Sequence, residues 1–315
     1  MKIALITPAA QGSRHGNRGT ATRWAAMLRE LGHQVSIQVN WDGAATDLMI
    51  ALHARRSHAS IRNYAMCYPD QPLVLALTGT DLYRDIRTDP EAQASMQVAT
   101  RMIVLQDRGL LELAPALRRK TRVVYQSAPI AKRRTPLKSR FEIVVSGHLR
   151  EEKDPFRAAM ALAHLPKESR IRVTHIGGAM SNAMTKEAKA WMKREPRYYW
   201  LGEVAHGKAL RLLARSRLMV ISSRMEGGAN VVSEALANNV PVIASRISGN
   251  VGMLGKDYAG YYAVEDERAL ARLLLRAESD AAYYKKLTSQ CRARKPLVTY
   301  TRERNGLACI LAELS

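Results

Sequence analysis

The chain has 315 residues, 47% of them hydrophobic, and a formal net charge of +21. That length is comfortable for two α/β domains, and no apolar run approaches the roughly 20 residues needed to span a bilayer. Cys67, Cys291 and Cys309 form no C-x-x-C or Cys/His cluster, so neither a disulfide framework nor a zinc site is indicated. The charge points to anionic partners. Its spread along the chain, with no nucleic-acid-binding signature, favours small anionic substrates over nucleic acid.

In chain order, "KIALITP" (2–8) reads as a buried first strand. Its apolar core is short for a leader, and "QGSRHGNR" follows in place of a cleavage region, so the cytoplasm is the expected compartment. A polar, glycine-containing loop leads to a helix over 21–32, with Trp24, Met27, Leu28 and Leu31 at helical spacing and Gly32 as its stop. Strands are expected at 33–39, 47–52, 72–78, 101–106 and 121–126. The cation-rich stretch 131–140 reads as a linker. The series resumes at 141–147, 171–178, 198–203, 218–223 and 240–245, and the chain from about 264 is helical by pattern. Short apolar runs alternating with helices predict parallel sheets. The predicted fold is α/β, with two Rossmann-like domains facing across a cleft. The expected bounds are 1–130, a linker over 131–140, a second domain over 141–290, and a last helix over 291–315 packing back on the first domain.

In open parallel sheets ligands bind at the C-terminal ends of strands, so the exit loops hold the candidate site. "SRMEGGANVVSEALANNVPV" (223–242) runs from a strand through a glycine turn into a helix stopped by Pro241. Gly227 and Gly228 remove side chains where backbone N–H groups at Ala229 and Asn230 can meet an anion. Glu234, one turn into the helix, suits a pair of ribose hydroxyls; Glu226 suits sugar hydroxyls or developing positive charge. The alternative, two ordinary surface acids near a helix start, fits the spacing equally well. On the first half, the candidate anion-holding residues are Gly12, Arg14, His15, Asn17, Arg18 and Thr20, with Arg23 beyond. His53, Arg55 and Arg56 of "ALHARRS" and Thr78, Gly79, Thr80 and Asp81 of "LTGTDLYRD" join them. A loop with solvated arginines and a structural histidine are the plainer readings of these stretches.

The segment Glu226-x7-Glu234, with "PVIASRISGN" after it, resembles the E-x7-E segment of the retaining GT-B glycosyltransferases of family 4. "VSGHLREEKDP", "HIGG" and "WLGEV" stand where that family's other donor loops stand, and "LRELGHQV" where its first helix and second strand stand. The resemblance implies a GT-B fold and a UDP-sugar donor. It implies that Glu234 binds the ribose, that Glu226 contacts the donor sugar or reacting centre, and that Gly227, Gly228 and Ala229 approach sugar and phosphates. Lys153 matches the phosphate-binding lysine, with Gly147 and Gly177 in the neighbouring loops. The family's arginine after the glycine is replaced by His148, so Arg150 is expected to share the pyrophosphate with Lys153.

"HGNR", "ALHARRS", "LTGTDLYRD" and "GHLREEKDPFR" together resemble the selenosugar synthases of selenoneine biosynthesis, relatives of family 4. That resemblance implies selenophosphate as acceptor, a 1-seleno-sugar as product, and handover to the next enzyme of the pathway. An ionised selenophosphate is a strong nucleophile that needs cations to hold it rather than a base. Catalysis is expected from Glu226, Arg150 and Lys153, with no cofactor and no metal. The rivals are an ordinary family 4 enzyme with a hydroxyl acceptor, a basic nucleic-acid binder, and a sugar-nucleotide sensor. Membrane insertion is not expected.

Overall fold

The computed structural model describes residues 1–12, 16–132, 135–137 and 139–314. They divide into two units: Met1–Gln126 with the segment from Thr299 onward, and Ser127–Val298.

The first unit is built on six parallel strands: β1 (Lys2–Ile6), β2 (Gln34–Gln38), β3 (Leu48–Leu52), β4 (Leu73–Leu77), β5 (Arg101–Val104) and β6 (Thr121–Val123). Their order is β2-β1-β3-β4-β5-β6. Successive side chains of a strand point to opposite faces, so Ile3 and Leu5 pack into one layer while Ala4 and Ile6 pack into the other. The first layer is completed by Trp24 and Leu28 of the helix Gly16–Glu30 and by Leu307 and Ile310 of the helix Tyr300–Ala312. Ile61, Tyr64 and Met96, from helices His58–Cys67 and Pro90–Val98, complete the second. With both faces covered, β3 and β4 are buried at every residue and read as unbroken apolar runs.

The first helix begins at Gly16, five residues before the expected start at 21. Thr20 accounts for this. It is buried, its hydroxyl donates to the Gly16 carbonyl (3.0 Å), and it accepts from Gln126 Nε2 (2.5 Å). Those contacts hold the first turn helical against two glycines that each cost about 1 kcal/mol relative to alanine. The C-terminal helix is fixed to this unit by Glu303. Its fully buried carboxylate accepts from Arg23 Nε (2.8 Å), Arg23 Nη2 (3.1 Å) and Trp24 Nε1 (2.7 Å).

The second unit carries β7 (Phe141–Ser146), β8 (Ile171–Ile176), β9 (Tyr198–Trp200), β10 (Leu218–Ile221), β11 (Val242–Ser245) and the two-residue β12 (Tyr261–Tyr262). They form a parallel sheet of order β12-β11-β10-β7-β8-β9. The unit starts at Ser127 rather than 141. Asn238, capping the helix Asn230–Ala237, accepts the Ala131 N–H (2.7 Å) and donates to the Pro129 carbonyl (3.1 Å), which ties 129–131 to this sheet's helices. The α/β fold with two parallel-sheet, Rossmann-like halves is as the sequence predicts.

Candidate active site

In the second sheet β7 lies between β8 and β10, so the chain reverses its direction of travel across the sheet at the β7–β10 boundary. Such a switch point leaves a crevice at the C-terminal strand ends. β7 exits through Gly147–Arg150 into the turn Glu151–Lys153; β10 exits through Ser222–Ala229 into the helix Asn230–Ala237. Hydrogen bonds to backbone carbonyls tie the two loops. Ser222 Oγ meets the carbonyls of Lys153 (3.1 Å) and Asp154 (2.8 Å), and the Arg224 N–H donates to the Glu152 carbonyl (2.9 Å).

Lys153 Nζ forms an ion pair with Glu226 Oε1, and Ser223 Oγ donates to the same oxygen (2.5 Å). Glu226 is therefore buried and engaged. It is not one of the solvated surface acids that the spacing alone also allowed. A pocket here is lined by Gly147, His148, Lys153, His175, Ser223 and Glu226, among others. The helix that follows has Ala229 at its N-cap and no side-chain cap bond, which suits its N-terminal N–H groups to an anion. Together the groups can do two things: a cation and a helix start can stabilise a phosphate oxygen, and a carboxylate can accept hydroxyl hydrogen bonds.

Glu234 lies one turn along that helix and is bonded to the exposed His206 Nε2 (2.8 Å). Arg150 is partly exposed, with its Nε 4.0 Å from Glu152 Oε2. His148 reaches the edge of Gly178, where the Glu203 carboxylate also lies.

Three supporting residues escaped sequence reasoning. Gly177, itself a candidate, has φ +144°, and a Cβ there would overlap the Gly147 carbonyl, so the loops after β7 and β8 touch backbone to backbone. Beneath them the first missed residue, His175, is fully buried. Its Nε2 meets the Gly147 carbonyl (3.2 Å) and its Nδ1 meets Tyr198 Oη (2.8 Å). A carbonyl only accepts, so Nε2 carries the proton and Nδ1 accepts from the tyrosine. Burial pushes this imidazole down to about 4, against the small upward pull of the Gly147 carbonyl. The second, Gly249, packs its Cα on the Glu226 backbone; a Cβ there would overlap the Glu226 carbonyl. The third, Ser223, hangs from Ser245 Oγ through its carbonyl (2.6 Å). "HIGG" and "SGN" held the first two signals, but a strand histidine and a helix glycine look structural in sequence.

In the first sheet β1 lies between β2 and β3, a second switch point. Arg14 and His15 lie outside the described residues. Gly12 is exposed, with φ +78°. Asn17 and Arg18 occupy the first turn of the helix rather than a loop, and Thr20 is buried beneath it. Arg23 does not face the rim as an anion-holding cation; its guanidinium is taken by Glu303.

The loops after β3 and β4 meet in one cluster. Asp81 is fully buried, and its carboxylate accepts the N–H groups of Ala54 (3.0 Å), Thr78 (3.0 Å) and Gly79 (2.8 Å). It thus holds the loops in place and offers no carboxylate to a ligand. Asp85, missed in the sequence, accepts from Arg55 Nε (2.9 Å) and Arg84 Nε (3.1 Å). Burial pushes its carboxyl up, but those two guanidiniums win and hold it below the usual range. His53 contacts Thr80 Oγ1 through Nε2 (3.1 Å), and Arg56 is exposed. Among the described residues no group of three or more His, Cys, Asp or Glu is placed to hold a metal, and no helix is long and apolar enough to cross a membrane.

Two parallel-sheet Rossmann-like halves with a charged switch point define a protein of the GT-B type. Residues 128–294, more than half of the chain, match the family described as glycosyl transferases group 1, and the chain belongs to that family. Three solved structures share the fold. Anabaena Alr3699/HepE in complex with UDP and glucose is 16% identical, with a TM-score of 0.79 over 99% of this chain and 100% of that one. Sucrose-phosphate synthase (tll1590) from Thermosynechococcus elongatus is 16% identical, TM-score 0.77, over 99% and 98%. The E. coli "trehalose-6-phosphate" structure bound with UDP-2-fluoro glucose is 12% identical, TM-score 0.76, over 100% and 99%.

Proposed function

We propose that this glycosyltransferase takes its sugar from UDP-glucose or UDP-N-acetylglucosamine, held by the second unit, and transfers it to selenophosphate, held by the first. The observation that carries the donor half is the Lys153–Glu226–Ser223 cluster at the β7–β10 switch point, beside a helix start whose N-cap, Ala229, has no capping side chain. Lys153, Arg150 and the N–H groups near Ala229–Asn230 stabilise the departing UDP; one such donor contributes about 3 kcal/mol to a transition state. Glu226 orients the sugar and Glu234 accepts from the ribose hydroxyls, displacing His206. Similarly folded proteins solved with UDP, UDP-glucose or UDP-2-fluoro glucose support this reading.

The acceptor half rests on the resemblance in "HGNR", "ALHARRS" and "LTGTDLYRD" and on the chemistry of the rim. Selenium attacks the anomeric carbon, the C1–Se bond forms, and the C1–O bond to UDP breaks with its electrons leaving on UDP. Transfer of the phosphoryl group from selenium to water then leaves the 1-seleno-sugar. No base is needed, and the rim histidine offers none. His53 Nδ1 accepts the Arg56 N–H (3.3 Å), so its lone pair is occupied and Nε2 bears the proton. Arg18 and Arg56, with Arg14, are the cations assigned to selenophosphate. No metal enters the reaction, so product formation is expected to survive EDTA.

The test is to incubate the protein with either UDP-sugar and fresh selenophosphate under argon and to look by mass spectrometry for a selenium isotope pattern on a hexose. UDP release together with that product is expected. UDP-sugar turnover only with hydroxyl acceptors would assign the chain to ordinary sugar transfer.

A further inference from the structure

We propose that His53 is a positioning residue that fixes the Thr80 hydroxyl as a directed hydrogen-bond donor to the anionic acceptor. The inference rests on the reading above that the acceptor binds at the first unit's sheet edge.

Two departures from ordinary backbone meet at this pair. His53, directly after β3, is a non-glycine residue in the left-handed region, at φ +77°, and is buried. Such strain persists only where the surroundings over-determine it, and it concentrates at functional positions. The loop after β4 runs directly from Thr80 into a π-type turn over Asp81–Asp85, a rare geometry with the same tendency. The two are joined by the bond between His53 Nε2 and Thr80 Oγ1 (3.1 Å).

The direction of that bond follows from the other ring nitrogen. The Arg56 backbone N–H can only donate, and it points at Nδ1 (3.3 Å). Neutral His53 therefore carries its proton on Nε2 and donates it to Thr80 Oγ1. The Thr80 hydroxyl is thereby the acceptor in this bond, and its own proton is turned away from the ring. Thr80 is partly exposed, and Arg56, whose backbone N–H meets the other ring nitrogen, is exposed.

The charges around His53 leave this arrangement intact. Asp81 Oδ2 lies 4.0 Å from Nδ1 and Asp85 Oδ2 lies 4.0 Å from Nε2, both beyond hydrogen-bond reach. Asp81 is occupied by three backbone N–H groups, and Asp85 by Arg55 and Arg84. Burial lowers the imidazole's affinity for a second proton. Asp81 and Asp85 oppose that, while Arg56 and Arg55 reinforce it, and the result lies below the ordinary histidine value. A hydroxyl oriented by a neutral ring can bind an anionic nucleophile without protonating it. Protonating the ring would set an N–H on Nδ1 against the Arg56 N–H, so this bond pattern fits the neutral form.

The experiment uses His53→Asn, Thr80→Val, Thr80→Ser and the double variant His53→Asn/Thr80→Val. Asparagine tolerates the left-handed backbone, and its Oδ1 can still take the Arg56 N–H, but it places no donor against Thr80. Expected are a rise in the selenophosphate KM of about tenfold for His53→Asn and for Thr80→Val, with the UDP-sugar KM close to wild type and a lowered melting temperature, since each change leaves a buried polar group without its partner. Thr80→Ser keeps the wild-type KM, and the double variant is no worse than Thr80→Val alone, because both changes remove one interaction. Additive losses in the double variant, or a rise in UDP-sugar KM equal to that for selenophosphate, would overturn the inference alone. A wild-type protein that consumes UDP-sugar without forming any selenium product would overturn the acceptor reading and this inference with it.

Discussion

At the second sheet's switch point Glu226 turns its carboxylate to Lys153 and Ser223, and all three line one pocket. At the rim of the first sheet Asp81 and Asp85 do the reverse. They turn inward, one to three backbone N–H groups and the other to two arginines, and leave a hydroxyl and a cation outside. Both rims are C-terminal edges of parallel sheets beside a switch point, so topology alone does not distinguish them. The difference is what holds each carboxylate: Glu226 is held by two side chains that line the pocket, Asp81 by backbone N–H groups of the loops it joins, and Asp85 by two arginines.

The largest test of that contrast is a pair of isosteric changes. Glu226→Gln is expected to lower kcat/KM by about 100- to 1,000-fold, the range for removing one stabilising group from a transition state, while the urea midpoint stays near wild type. Asp81→Asn is expected to move the midpoint instead. The new amide NH2 would face N–H groups that a carboxylate had satisfied, a loss of about 3 kcal/mol. If the two variants fail in the same assay, the contrast is broken.

Glu303→Gln is next. It weakens a buried carboxylate shared by Arg23 and Trp24, and should cost about 3 kcal/mol in urea denaturation with kcat unchanged for the folded fraction. His175 gives a pH signature. Its folded value near 4 lies below the ordinary 6.5, so the unfolded chain binds the proton first as pH falls. Stability is therefore full above about pH 6.5 and declines toward pH 4, by about 3 kcal/mol in all. Chemical denaturation across that window should show the decline, and His175→Gln should flatten it. Gly249→Ala closes the set. A Cβ there would overlap the Glu226 carbonyl oxygen, so that backbone must move, and the variant is expected to show a raised UDP-sugar KM together with a lower melting temperature.

Most of the scaffold is legible because both faces of its central strands are buried, which turns stretches such as "LVLAL" into continuous apolar runs. Tyr261–Tyr262 was not, since two residues carry no period. The early helix start at Gly16 is a tertiary effect, decided by Thr20 and Gln126 across 106 positions of sequence. The same holds for the C-terminal helix, whose anchor to Arg23 and Trp24 leaves no local trace. In the site, Glu226 stood out because it precedes a glycine pair at a strand exit, and Lys153 through the family resemblance of "VSGHLREEKDP". His175 and Gly249 did not, because their work is done through other residues' backbones. Asp81 was visible, but no pattern in sequence tells an outward carboxylate from one folded back onto its own loop.

The most direct measurement is calorimetric titration of UDP into the wild-type protein, Lys153→Ala and Glu234→Ala, under one salt condition. Wild-type binding that weakens at least about tenfold in each variant is expected, because each removes a charge-assisted contact to the nucleotide. Equal binding in all three, or none in the wild type, would contradict the placement of the donor at the β7–β10 switch point.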